Sequence, residues 1–219
     1  MLASPSNPTG TLLEREAVQR LHATVQGLGG GLIVDEIYHG LTYGIQAQTA
    51  LAVSSDIFVI NSFSKYFGMT GWRLGWLVAP QDCVPQIDKL AQNLYLAAPT
   101  VSQHAALAAF DPGNLEILEQ RRGAFRQRRD YLLPALRDVG FDIPVTPPGA
   151  FYLYADCSRF TTDSYGFCER LLEEAGVAVT PGIDFGNNHP ERHVRFAYTT
   201  SLDNLREGVR RLRTYCASL

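Results

Sequence analysis

Lysine is scarce in this chain, and one lysine sits where chemistry is plausible. Nineteen basic residues comprise seventeen arginines and two lysines, Lys65 and Lys89. Lys65 follows the apolar run Ile57-Phe-Val-Ile-Asn61 and opens a loop rich in glycine and aromatics, Lys65-Tyr-Phe-Gly-Met-Thr-Gly71. An ammonium drawn out of water there deprotonates more readily, as a lysine that attacks a carbonyl requires. Arg73, eight residues on, offers a planar fork matched to a phosphate dianion. Ser62 and Ser64 add hydroxyls to the same segment, and Asp35 and Tyr38 follow a second apolar run, Leu32-Ile-Val34. Ligands of open parallel sheets lie outside the carboxyl ends of the strands, where both segments would place these residues. For Asp35 alone, a helix cap or loop carboxylate is an equally good reading. For Lys65 the alternative is a surface charge, and its Gly- and aromatic-rich loop argues against that.

Competing motifs are weaker. Ser62-Phe-Ser-Lys65 matches the S-x-x-K signature of serine-nucleophile enzymes, but the S-D-N and K-T-G elements which that chemistry needs do not occur. The glycines of Gly27–Gly31 precede a strand, whereas a phosphate-cradling loop follows a strand and opens a helix. They read as a helix stop and turn. The five histidines form no metal pattern: His189 and His193 share a Pro-containing loop, and His39 beside Tyr38 could line a site but reads more readily as loop packing. Cys83, Cys157, Cys168 and Cys216 are scattered without a C-x-x-C pair, so they read as buried free thiols rather than a zinc site or disulfide framework.

The elements that must position these residues follow from periodicity. Thr11-Leu-Leu-Glu14 has the form of a capping box, with Leu13, Ala17, Leu21, Val25 and Leu28 at helical spacing behind it. The runs at Leu32–Val34, Ile57–Asn61 and Leu74–Ala79 read as buried strands of a parallel sheet. Residues 80–140 turn helical, with one long helix over Leu115–Val139 carrying Leu118, Phe125, Leu132 and Leu136 on one stripe. Its basic middle, Arg121–Arg129, reads as a solvated face. After the break at Pro144, Pro147, Pro148 and Gly149 come strands at Phe151–Ala155, Val177–Thr180 and His193–Tyr198, and helices at Tyr165–Ala175 and over Leu202, Leu205, Val209 and Leu212. Helices between buried strands define an α/β fold. We expect residues 1–120 to form one unit and 121–219 a smaller α/β domain.

Composition excludes several classes. With 46% hydrophobic and 19% charged residues the 219-residue chain has the profile of a globular protein. A net charge of −3 argues against binding nucleic acid through its phosphates. No apolar stretch approaches the ~20 residues of a membrane span, and the first residues lack the pattern of a secretory signal. The expected setting is cytoplasmic, with no membrane or nucleic-acid partner.

Six phrases occur in one order: Asn7-Pro-Thr-Gly10, Asp35-Glu-Ile-Tyr38, Ser62-Phe-Ser-Lys65 with Gly71-Trp-Arg-Leu-Gly75, Pro148-Gly-Ala-Phe-Tyr152, Pro181-Gly-Ile-Asp-Phe-Gly186 and Val194-Arg-Phe196. Together they resemble the class I/II, fold type I aminotransferases that use pyridoxal 5'-phosphate, of the aspartate-aminotransferase-like kind. The resemblance implies transfer of an amino group between an amino acid and a 2-oxo acid. It implies that Lys65 bonds the cofactor and shuttles the proton at the substrate's Cα. Asp35 would pair with the pyridine nitrogen, and Tyr38 and Asn7 with the phenolic oxygen. Ser62 and Arg73, helped by Ser64, would hold the phosphate, while Arg195 would clamp the substrate carboxylate. No metal is implied, and a homodimer is.

Family members are about twice this length, so the resemblance also implies the C-terminal part of the fold, with the N-terminal half lacking. A truncated product that binds cofactor weakly unless another chain completes the sheet is the resulting expectation. Between Lys89 and Arg121 there is no Arg or Lys, so one known route to recognising a second carboxylate is missing. Readings from other classes are a non-catalytic fragment or the effector-binding domain of an aminotransferase-like transcription regulator. A pyridoxal-phosphate-dependent β-lyase is a sibling possibility within the fold.

Overall fold

The computed structural model describes all 219 residues. They divide into two units, Met1–Ser6 with Thr11–Arg122, and Asn7–Gly10 with Gly123–Leu219. No helix is long and apolar enough to cross a membrane.

The first unit is built on a four-stranded mixed sheet, β1 (Leu2–Ala3), β2 (Ile33–Asp35), β3 (Phe58–Ser62) and β4 (Gly75–Val78), hydrogen-bonded in that order. The first three strands run parallel, with Val34 opposite Val59 and Asp35 opposite Ile60. Side chains alternate across a strand, so Val34 and Val59, both buried, share one face. Asp35, Ile60 and Ser62 fall on the other. Val18, Leu32, Ala50 and Ile57 complete the core on the Val34 side.

Two expectations for this unit are corrected. Leu74–Ala79 does not give a buried parallel strand: β4 pairs antiparallel with β3, and all four of its residues are exposed. It lies at the sheet edge, where a strand has a neighbour on one side only. The Thr11–Glu14 capping box does not form either. The Thr11 carbonyl accepts from the Ser6 N–H and the Leu13 N–H donates to Ser4 Oγ, so the segment is committed to the sheet end. Helix α1 (Arg15–Gly27) begins instead after Glu14, whose carbonyl takes the first helical bonds. It buries Val18 and His22, while Leu13, Leu21 and Leu28 are exposed. After β4 come α2 (Val84–Leu94), α3 (Thr100–Ala108) and α4 (Pro112–Val139). The boundary between the two units falls within α4, after Arg122.

The second unit carries an antiparallel sheet, β5 (Tyr152–Asp156), β6 (Thr180–Pro181) and β7 (His193–Ala197), with β7 central. Of the expected strand at Val177–Thr180 only Thr180 lies in a strand, β6, which runs on to Pro181. Helix α5 (Ser164–Ala175) starts on Asp163, whose carboxylate accepts from the Gly166 N–H at 3.0 Å. Helix α6 (Leu202–Cys216) starts on Ser201, whose hydroxyl accepts from the Asn204 N–H at 3.2 Å. As its spacing predicts, α6 buries Leu205, Val209 and Leu212, and α4 contributes Leu132 and Leu136 from its expected stripe. The basic stretch of α4 is not uniformly solvated. Arg129 is buried, donating to the Pro147 carbonyl at 2.9 Å and pairing with Asp130. Cys157, Cys168 and Cys216 are buried free thiols and Cys83 is half-buried.

Candidate active site

The parallel strands of the first unit all end at the same edge, and the chemistry-bearing residues follow those ends. Asp35 is the last residue of β2, and its Oδ1 accepts from the Ile37 N–H at 2.9 Å. That bond turns the chain and leads to Tyr38, which is buried. Ser62 ends β3, and Ser62 Oγ lies 2.9 Å from Ser64 Oγ and donates to the Leu74 carbonyl at 3.1 Å. The Ser64 N–H donates back to Ser62 Oγ at 3.0 Å. These bonds wrap the turn so that Lys65 comes directly after it. The Lys65 ammonium sits 5.8 Å from the centre of the Tyr38 ring, within reach of a cation–π attraction. The loops after β2 and β3 are thereby joined by the lysine itself.

Arg73 closes a short helical turn at Thr70–Trp72 in the left-handed conformation, φ 52°. Its Nη1 donates to the Thr70 carbonyl at 3.0 Å, and the residue is otherwise exposed. Beside Tyr38, His39 lies 3.3 Å from buried Glu36, whose other oxygen accepts from the Ala50 N–H at 2.6 Å. Burial lowers the His39 pKa from 6.5, against the opposite pull of Glu36 and the Ser4 carbonyl. His39 is thus held in the loop by Glu36. No group of three or more His, Cys, Asp and Glu side chains is placed to hold a metal ion.

The second unit holds Asn7 and Arg195. Arg195 lies mid-strand in β7, and its Nη1 donates to Asn7 Oδ1 at 2.7 Å and its Nη2 to Thr180 Oγ1 at 3.3 Å. The guanidinium lies within cation–π distance of two aromatic rings, 4.1 Å from the Tyr152 centroid and 4.6 Å from that of Phe185. Its Nε is buried and has no hydrogen-bond partner. A guanidinium held beside two rings, with N–H donors left after its bonds to Asn7 and Thr180, suits a planar anion. Tyr152, Thr180 and Phe185 were not singled out as site residues from the sequence. The signal lay in the phrases that contain two of them, Pro148–Tyr152 and Pro181–Gly186. The Asn7–Gly10 turn is fixed by its own backbone: Gly10 has φ +67°, the Gly149 N–H donates to its carbonyl at 3.0 Å, and a Cβ would lie 2.5 Å from the Gly149 oxygen. Only glycine fits there, which explains why two distant phrases appear together.

The family model for aminotransferase class I and II matches residues 1–212. The chain belongs to that family. It is 40% identical over 220 residues to a valine–pyruvate aminotransferase of Mycobacterium tuberculosis, covering 100% of this chain and 57% of that protein. It is 35% identical over 227 residues to an aspartate aminotransferase of Geobacillus stearothermophilus, covering 98% and 56%. Among solved structures, an aminotransferase from Mycobacterium tuberculosis superposes with a TM-score of 0.95 at 40% identity, again over 100% of this chain and 57% of the other. The chain therefore spans a little over half the length of the curated relatives it matches, and its fold is theirs over that span.

Proposed function

We propose that this chain carries out the cofactor and substrate chemistry of a pyridoxal-phosphate-dependent aminotransferase, moving an amino group between an amino acid and a 2-oxo acid. The seat of Lys65 carries the reading: a lysine at the end of a parallel strand, its amine over the buried Tyr38 ring, in a chain of this family. The donor set fits the cofactor, pairing an anion with hydroxyls, a guanidinium and one amine. When bound, pyridoxal phosphate supplies an aldehyde that amines can bond and a ring that takes up electron density from the substrate's Cα. Lys65 Nζ provides the amine and then holds and returns the proton of the substrate's Cα. Asp35 presents its carboxylate to the protonated ring nitrogen, and Tyr38 and Asn7 orient the phenolic oxygen. Ser62 and Arg73, with Ser64 completing the hydroxyl pair, bind the phosphate. Arg195 grips the α-carboxylate with guanidinium N–H donors not spent on Asn7 and Thr180.

In this reading residues 1–120 are the cofactor-binding portion and 121–219 the small domain. The same reading makes the protein a cytoplasmic homodimer. Unpaired thiols suit a reducing compartment, and exposed Trp76, Leu77, Leu90 and Leu94 suit a partner surface. The test is the visible absorbance of the chain with pyridoxal phosphate, followed through an amino-acid panel, with assay of the 2-oxo acid released. A protein-dependent band that shifts with one amino acid and yields its 2-oxo acid supports the proposal. A spectrum equal to that of free cofactor across the panel overturns it.

A further inference from the structure

The residue after Lys65 is tied to a helix that supplies none of the site residues named above. Tyr66 Oη donates to Glu119 Oε1 on α4 at 2.7 Å, across 53 positions of sequence. Glu119 Oε2 accepts in turn from Arg122 Nε at 2.8 Å and from Arg122 Nη2. Arg122 Nη1 then donates to the Thr42 carbonyl at 2.9 Å, across 80 positions. Thr42 is buried on the loop that carries Tyr38. One chain of hydrogen bonds thus runs from the lysine loop through α4 to the tyrosine loop, the two loops whose contact seats the Lys65 amine.

Packing follows the same path. Gly40, at φ +88°, lies so close under Tyr66 that a Cβ there would be 2.5 Å from the ring's Cγ. The phenol is therefore pressed against the tyrosine loop by one face and hydrogen-bonded to α4 at its tip. On the far side of the lysine loop, a Cβ at Gly68 would lie 3.0 Å from Arg121 Nη1. Burial, reinforced by the bond to Glu119, pushes the Tyr66 phenol up to about 12, so it stays a donor. Hydrogen bonds from Arg122 hold the Glu119 carboxyl below its usual range, so it stays an anion that can accept all three bonds.

We infer that Tyr66, Glu119 and Arg122 form a clamp that positions Lys65 by locking its loop to the loop of Tyr38. The inference rests on the reading of Lys65 as the cofactor lysine, and none of the three clamp residues is assigned a contact with substrate or cofactor. They are positioning residues. A lysine backbone that wanders by an ångström loses the near-attack geometry that orientation supplies, so the clamp acts on reaction at Nζ.

Two lysines make the test direct. Reductive methylation with carbon-13 formaldehyde places NMR probes on Lys65, on the α-amine of Met1 and on Lys89, which is exposed on α2 and serves as internal reference, and the signal lost in Lys65→Arg is that of Lys65. Tyr66→Phe and Glu119→Gln each remove a clamp bond with little change of shape. Both are expected to move the Lys65 signal and leave that of Lys89 in place, while Arg126→Gln, on α4 outside the clamp, moves neither. In unmethylated protein, the rate of borohydride-trapped incorporation of pyridoxal phosphate at Lys65 is expected to fall threefold or more in each variant. The double variant should fall no further, since both changes break one network. Wild-type labelling at Lys65 with unchanged signals and rates in folded variants overturns the clamp and leaves the cofactor reading standing. A Lys65 signal that moves in the variants, with no wild-type label at Lys65, sustains the clamp and overturns the cofactor reading.

Discussion

In the second unit, nineteen buried side chains from α4, α5, α6, the antiparallel sheet and the segments flanking them make one continuous core. In the first unit, buried side chains gather in smaller groups, six around Val34 and Val59 and three around Phe63. Large apolar residues of β4, α2 and α3, among them Trp76, Leu90, Leu94 and Leu107, face outward there. The two regions have similar elements, so secondary structure does not make the difference. What differs is whether each amphipathic element finds a facing layer, because that burial supplies most of the stability of a helix or sheet. The unit with the closed core holds the arginine beside its two rings. The unit with the open face holds the lysine, and there directional bonds such as the Tyr66–Glu119–Arg122 network fix the loops.

Matched truncations sharpen this contrast most. Phe167 is fully buried against Phe141, Phe160 and Tyr215, whereas Phe110 is 55% exposed beside Phe63 and Phe67. Phe167→Ala should cost about 3–5 kcal/mol in urea unfolding. Phe110→Ala should cost less than about 1 kcal/mol. Comparable costs at the two sites would break the contrast.

Next in size is Tyr198→Phe, which removes a buried hydroxyl that donates to the Ala150 carbonyl at 3.2 Å. The expected loss is about 1 kcal/mol, read from the same unfolding curves.

Alkaline pH should act on the closed core. Burial is the first cause that pushes the Cys157 thiol up to about 12 and Cys168 and Cys216 up to about 11, from 9.0. Between pH 9 and 11 these thiols lose protons in the unfolded chain and keep them in the folded one. The unfolded state then binds fewer protons, so stability is full below pH 9 and falls as pH rises. Unfolding midpoints in that range should therefore drop in the wild type. The drop should shrink in a Cys157→Ser/Cys168→Ala/Cys216→Ala variant.

The smallest stability effect is expected at the open face. Leu77→Lys, at a strand edge where Leu77 is 43% exposed, should stay within about 0.5 kcal/mol of wild type. In sedimentation it should weaken the proposed homodimer, because an edge lysine opposes pairing between chains.

Sequence legibility followed the same divide. The stripes of α4 and α6 and the runs of β2 and β3 were readable because each pattern meets a facing layer. The run Leu74–Ala79 was apolar enough to read as a buried strand, yet β4 is exposed and pairs antiparallel at the edge. The Thr11–Glu14 box had the right residues, but bonds to Ser4 and Ser6 in the turn just before it had already claimed its backbone. Asp35, Tyr38, Ser62, Ser64 and Lys65 could be grouped in advance because strand ends and short spacing bring them together. Glu119 and Arg122 could not, since the helix reads as a charged face until the fold sets it against loops many residues away. Arg129 hid in the same charged run, although the structure buries it against the Pro147 carbonyl.

The most direct measurement is to reduce a mixture of the chain and pyridoxal phosphate with borohydride and map the modified residue by peptide mass spectrometry. The account predicts one phosphopyridoxyl label, on Lys65, with Lys89 spared and labelling abolished by Lys65→Ala. A label on Lys89, or an unlabelled but folded chain, would contradict it.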